Sequence, residues 1–117
     1  MSAWKRSSKP AGWFPRRGEV CLVELDKPRP AVVLSSDSLN AYALDVCVLP
    51  ISTKEHRAFS LRPKLTSGEA GLKHDSWVKC DQPTTLEKAL VSYPPLGSLS
   101  SASMNAIEDA VRTALEL

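Results

Sequence analysis

Residues 18–36 read GEVCLVELDKPRPAVVLSS. Two short runs rich in apolar and β-branched side chains, GEVCLVEL and PAVVLS, are separated by charged residues and prolines, the pattern of two neighbouring strands. Outward from this pair the pattern recurs in LDVCVLPI (44–51), ended by the proline at 50, and in AFSLRP (58–63). It recurs again in SWVKCDQ (76–82) and TTLEKALV (84–91), and Gly68 and Gly71 mark the turn before the fifth run. The tail changes period. Met104, Ile107, Val111 and Leu115 recur at three- and four-residue steps, one face of a helix, and the Ser100 hydroxyl oxygen stands where it can cap the first turn. Short strands followed by one amphipathic helix predict a mainly β chain, a small antiparallel barrel covered by a C-terminal α-helix.

A length of 117 residues, 43% of them hydrophobic and 24% charged, suits one globular domain with its own core. Residues 1–15 read as a basic, flexible N-terminal extension and residues 16–117 as the barrel domain. The first 17 residues carry five cations and no acid, whereas residues 83–117 are net acidic. A basic segment attracts phosphate polymers through counterion release, but it is equally an ordinary solvated tail. Trp4, Trp13 and Phe14 beside Lys and Arg either stack on bases or fold back on the domain. No apolar run approaches the roughly 18 residues needed to cross a bilayer. The N-terminus lacks the apolar stretch of a secretory signal. Cys21, Cys47 and Cys80 have neither zinc nor redox spacing and read as reduced, half-buried thiols. A cytoplasmic location is expected.

Three places carry chemistry-bearing side chains. Arg29 sits between Pro28 and Pro30, which fix backbone angles and remove amide donors, so its guanidinium is presented from a stiff bend. That planar fork of donors fits a phosphate; it also fits an ion pair with Asp26 or Asp37. Ser52 and Thr53 leave the third strand, where hydroxyls hold a phosphate oxygen or simply bond their own turn. In SWVKCDQ, strand alternation puts Lys79 and Asp81 on one face, as a surface ion pair or an acid–base pair in a cleft. His56 and His74 have no partner at ligand spacing, and no glycine-rich phosphate loop or nucleophile elbow is present. No metal and no cofactor is expected.

The runs RRGEVCLVELD, RPAVVLSSDSLN, VCVLPIST, GLKHDSWVKCDQPTTLEKALV and GSLSSASMNAIEDAVRTALEL, from Arg16 to Leu117, resemble the MazF/PemK/Kid family of toxin ribonucleases in order and spacing. The resemblance implies an SH3-like antiparallel barrel, CcdB/MazF-like, with a C-terminal helix, usually a homodimer. It implies metal-independent, sequence-specific cleavage of single-stranded RNA, in which the ribose 2′-hydroxyl attacks the adjacent phosphate to leave 2′,3′-cyclic phosphate and 5′-hydroxyl ends. On that resemblance Arg29 stabilises the phosphate, Ser52 hydrogen-bonds it with help from Thr53, and Asp81 is the base. Lys79 stands where some relatives carry an arginine acid. Gln82, Lys54 and Lys27 are RNA-contacting candidates. Two departures accompany the match. The loop between Asp26 and Arg29 holds only Lys27 and Pro28, so the loop histidine of Kid-like members is absent, and Lys79 offers a point charge where arginine offers a fork.

The resemblance also implies a cognate antitoxin that threads an acidic, disordered segment along the basic cleft. The competing reading is a non-catalytic binding module on the same fold, either a CcdB-like gyrase poison or a degenerate binder of RNA or of a partner protein.

Overall fold

In the computed structural model, residues 8–55 and 61–117 are described. Trp4, Lys5, Arg6, His56 and the 58–60 part of the AFSLRP run lie outside these residues. The chain orders β1 (Glu19–Glu24), β2 (Pro28–Val33), α1 (Asp37–Tyr42), β3 (Asp45–Ser52), β4 (Lys64–Leu65), β5 (Ser76–Val78), β6 (Thr84–Glu87), β7 (Gly97–Ser98) and α2 (Ser101–Leu115). Single 3-10 turns fall at Glu69–Gly71 and Lys88–Leu90.

The first pair of runs folds as read. β1 and β2 form an antiparallel hairpin with Glu24 opposite Pro28, joined through Leu25, Asp26 and Lys27. The sheet continues in the order β4-β5-β3-β2-β1-β7, and β6 joins the same side of β3 as β5. Every pairing is antiparallel. The sheet curls into the expected small barrel, half closed, with α2 across one face.

Alternation along each strand explains why the runs are continuous rather than polar on every second residue. Val20, Val32, Leu49, Ile51 and Val78 point to one face, where they pack with Ile107, Ala110 and Val111 of α2. Their neighbours Cys21, Ala31, Val33, Val46 and Val48 point to the other, where they pack with Leu86 and Val91 and are covered by Trp13 and Leu90. Both faces of the central strands are therefore buried, which removes the need for alternation. Helix α2 begins where expected, because the Ser100 hydroxyl accepts from the Ser103 amide at 3.1 Å. Leu115, expected on its apolar face, is instead largely exposed at the helix end.

Several boundaries differ, each for a backbone reason. Pro50 does not end β3, which runs on to Ser52. The Pro50 carbonyl still accepts from the Lys79 amide at 2.9 Å, and the Lys79 carbonyl accepts from the Gln82 amide, so neither group is left without a partner by the missing amide hydrogen. β2 starts at Pro28, so Arg29 lies within the strand opposite Val23 rather than on a bend before it. SWVKCDQ is strand only over Ser76–Val78; Cys80 and Asp81 form a turn, and alternation no longer governs Asp81. Leu61 and Arg62 lie in a turn, and the fourth strand is Lys64–Leu65. α1, capped by the Ser36 hydroxyl, and β7 were not foreseen.

The basic head is tied to the domain where it is described. Trp13 folds back and meets Tyr93 edge-on at 5.2 Å between ring centroids. Lys9 donates to the Ala89 carbonyl at 2.9 Å. Arg17 donates to the Leu34 carbonyl and pairs with Glu108 of α2.

The 3-10 turn at Glu69–Gly71 packs against β7. Gly71 has φ +79°, and a Cβ there would lie 2.3 Å from the Leu96 carbonyl oxygen; Gly68, at φ +98°, has open space around it. Gly68→Ala is therefore expected to cost about 1–2 kcal/mol for its left-handed backbone alone, and Gly71→Ala clearly more. Urea midpoints of the two variants measure the difference; equal shifts would show that the Leu96 contact yields freely.

Candidate active site

The site is set by strand register. β2 pairs with β3 from Val33 opposite Val48 to Ala31 opposite Pro50, and continuing that register past the last pair sets Arg29 toward the level of Ser52. β3 pairs with β5 so that Ser52 faces Trp77, and β5 with β4 so that Trp77 faces Lys64. Directly opposed residues share a face. Arg29, Ser52, Trp77 and Lys64 thus form one row across four adjacent strands, spanning about 14 Å at the usual interstrand spacing. The row lies on the sheet face that carries Ala31 and Val48, beyond the end of that face's apolar cluster.

A second row lies two residues along. The Lys79 amide bonds the Pro50 carbonyl and the Val78 amide bonds the Pro63 carbonyl, which sets Lys79 beside Pro50 and level with Arg62. Strand alternation puts Arg29 and Lys64 on one face with Ser52 and Trp77, while Lys79 just after β5 and Arg62 just before β4 lie at the adjoining strand ends.

The four cations are not equivalent. Arg29 is 45% exposed and approaches Asp26 through Nε at 3.3 Å and Nη2 at 3.4 Å, so the ion pair and the presented fork coexist. Its Arg29 bond and the Lys27 amide hold the Asp26 carboxyl below the usual carboxylate range. Arg62 is only 10% exposed and grips both oxygens of Asp81 at 3.2 Å. That grip, with the Lys79 charge as a smaller contributor, lowers the Asp81 pKa. Sequence reasoning gave Arg62 no role. Its only sequence signal was a cation next to Pro63, and its partner lies 19 residues away.

The remaining candidates fall around this core. The half-buried Ser52 hydroxyl accepts from the Lys54 amide at 3.0 Å, which orients its oxygen and leaves its hydrogen available to a ligand. Thr53 lines a hollow of about 650 Å³ with Ser67, Lys73, His74, Asp75 and Trp77. Lys54 and Lys27 are exposed, one beyond β3 and the other in the β1–β2 turn. Gln82 is exposed in the turn after Asp81, and its carbonyl accepts from the Thr84 hydroxyl. Register thus brings Arg29 and Ser52 together, with Lys79 one row away. Asp81 lies at that second row's edge, bound to Arg62.

The cysteines are chemically quiet. Cys21 and Cys80 are fully buried and Cys47 half-buried, all three free, and burial pushes the Cys21 and Cys80 thiols up to about 12. Among the described residues, no group of three or more His, Cys, Asp or Glu could hold a metal ion.

Comparison with known proteins agrees with this architecture. The family described as "PemK-like, MazF-like toxin of type II toxin-antitoxin system" matches residues 16–115. Endoribonuclease MazF9 of Mycobacterium tuberculosis is 28% identical over 115 residues, covering 87% of this chain and 97% of that protein. The solved structure of an endoribonuclease in complex with its cognate antitoxin, from Mycobacterial species, superposes with a TM-score of 0.77 at 27% identity, covering 88% of this chain and 96% of that one. The Mycobacterium tuberculosis toxin MazF-mt6 gives 0.76 at 25% identity, covering 85% and 97%. With the family pattern matched across the whole barrel and its helix, the chain belongs to the PemK-like, MazF-like toxins of type II toxin–antitoxin systems.

Proposed function

We propose that the chain is a toxin endoribonuclease that cleaves single-stranded RNA at short sequences without a metal ion. The observation that carries this reading is the β2–β3 register, which pairs Ala31 with Pro50 and by strand alternation puts Arg29 and Ser52 on one face, a permanent cation and an oriented hydroxyl. Family membership and the named endoribonuclease relative support it. The 2′-oxygen attacks phosphorus, the P–O5′ bond breaks, and the products carry a cyclic phosphate and a 5′-hydroxyl. Charge accumulates on the non-bridging oxygens during attack. Arg29 meets it with a fork that stays protonated at any working pH, and the Ser52 hydroxyl donates a second bond.

The 2′ proton needs an acceptor, and the family pattern offers Asp81. Arg62 complicates that role. An efficient general base has a pKa near the working pH, whereas a carboxylate gripped on both oxygens by arginine is ionised but weakly basic. We therefore assign Asp81 first to positioning, where with Arg62 it holds the turn beside Lys79, and the 2′ proton passes to a non-bridging oxygen of the attacked phosphate. Lys79 is the candidate proton donor to the departing 5′-oxygen, with Thr53, Lys54, Gln82 and Lys27 placed for RNA contacts. Inhibition by an antitoxin with an acidic, disordered segment follows from the same cationic face, and a relative solved with its cognate antitoxin supports it. We also infer a homodimer, for which light scattering gives twice the chain mass; a monomer at micromolar concentration contradicts it.

Incubating the protein with a long single-stranded RNA in EDTA tests the main reading. Cleavage with cyclic-phosphate ends is expected, whereas intact RNA that shifts on a gel identifies a non-catalytic binder. Arg29→Ala is expected to lower kcat by about 10²–10³ and Ser52→Ala by about 10–100-fold, with folding intact. Full activity in Arg29→Ala would remove that residue from the mechanism.

Asp81 gives a pH test. Its folded pKa lies below the ordinary 3.8, so its pairing stabilises the fold above that value and the contribution fades as pH falls through the lower folded pKa. Asp81→Asn should melt below wild type at pH 7, with the deficit shrinking as pH drops below 3.8. Arg62→Ala should lose activity in parallel with Asp81→Asn. An acid limb of the rate profile near neutrality that vanishes in Asp81→Asn would instead make Asp81 the base.

A further inference from the structure

Trp77 is the largest side chain in the site rows, and neither apolar cluster includes it. It is half-buried and lines the hollow of about 650 Å³ whose other walls are Thr53, Ser67, Lys73, His74 and Asp75, all exposed and polar. The Lys64 ammonium stands 5.8 Å from the indole centroid. Lys64 also pairs with Asp75 at 3.4 Å, and Asp75 accepts from the Ser67 amide at 2.8 Å. These bonds fix the hollow's rim. An indole needed only for packing would be placed among apolar neighbours. This one borders an open surface hollow walled by polar residues, one cross-strand step from Ser52.

We propose that Trp77 is a stacking platform for one unpaired base of the RNA, at a nucleotide next to the phosphate held by Arg29 and Ser52. This rests on the ribonuclease reading above. Single-stranded RNA is recognised largely by splayed bases stacked on aromatic rings, and an indole presents its face to any base. Lys64, over one face of the ring, and Lys73, in the wall of the same hollow, supply positive charge for the flanking phosphates, so a base stacked on the opposite face and backbone attraction act on the same nucleotide. Thr53 joins the two parts of the site, because it follows Ser52 directly and lines the hollow. Trp77 is then a specificity-determining residue, one that binds substrate without touching the reacting atoms.

The test is to sequence the 5′-hydroxyl ends cut from a randomised single-stranded RNA by wild type, Trp77→Phe and Trp77→Ala, with kcat and KM measured on one preferred sequence. Loss of base stacking in Trp77→Ala is expected to raise KM by about 5- to 150-fold with kcat little changed. It should also flatten the base preference at a single position, and Trp77→Phe should largely restore both. An unchanged KM and an unchanged preference at every position in Trp77→Ala overturn the platform and leave the nuclease standing. Binding supplies the second readout, and it uses the intact chain. On titration with the same sequence carrying a 2′-deoxy nucleotide at the cleavage site, which cannot be cut, the Trp77 indole N–H resonance of the wild-type chain should move, and a resonance that stays still at saturation overturns the proposal. If wild type never cuts but this resonance moves, the nuclease reading fails and the platform survives as part of an RNA-binding site. If Trp77→Ala does not fold, Trp77→Phe and the resonance decide.

Discussion

The site depends on β3 being bonded along both edges and buried on both faces. On one side it pairs with β2, and on the other with β6 over its first half and β5 over its second. Val46 and Val48 face one cluster while Leu49 and Ile51 face the other. A one-residue slip of any partner would exchange these sets between faces and expose an apolar row on each, so the register has a large penalty holding it. Ser52 inherits that precision as the last residue of β3. Its placement opposite Trp77, on the face that carries Arg29, is a consequence of core packing.

The Arg62–Asp81 pair plays a different part from Arg29. Arg62 is largely buried and its fork is filled by both carboxylate oxygens, so its charge is already matched. Removing one partner would strand the other at the edge of the groove, which is why such pairs are more informative about geometry than about net stability. Arg29 lies in the open, where its charge remains attractive to a polyanion. β3 and β5 stand between the two arginines, one matched by a carboxylate and the other open to solvent.

The strands of the core and the C-terminal helix were legible because apolar runs and helical spacing are local signals. GEVCLVEL, AVVL and Ser100 with its apolar face needed no partner to be recognised. What was not legible depends on contacts between distant residues. Pro50 reads as a strand end until the Lys79 and Gln82 amides show where the surrounding carbonyls go. Asp81 reads as a strand residue until the turn at Cys80 and Asp81 is seen, and Arg62 is silent without it. Arg29 and Ser52 were identifiable as candidates from residue type and family pattern, but their placement on one face of adjacent strands comes from the β2–β3 register alone. Trp77 was read only as a strand former, since nothing in SWVKCDQ distinguishes a ring in the core from one at a polar rim.

The short β1–β2 connection bears on how Arg29 can act. With only Leu25, Asp26 and Lys27 between paired strand ends, Asp26 sits at the tip, where its carboxylate accepts from the Lys27 amide and reaches back to Arg29. An acid beside the arginine proposed to bind phosphate looks counterproductive. The geometry argues otherwise, because Asp26 engages Nε and Nη2. A guanidinium carries five N–H donors, so those on Nη1 and the second on Nη2 remain for a phosphate. The pair is exposed and its contacts are long, so it holds the fork in orientation without saturating it. A longer loop could cover Arg29 and order on binding; here a three-residue turn fixes the guanidinium before RNA arrives. On the proposed mechanism, less of the binding energy is then spent on reorganising the group that meets the developing charge.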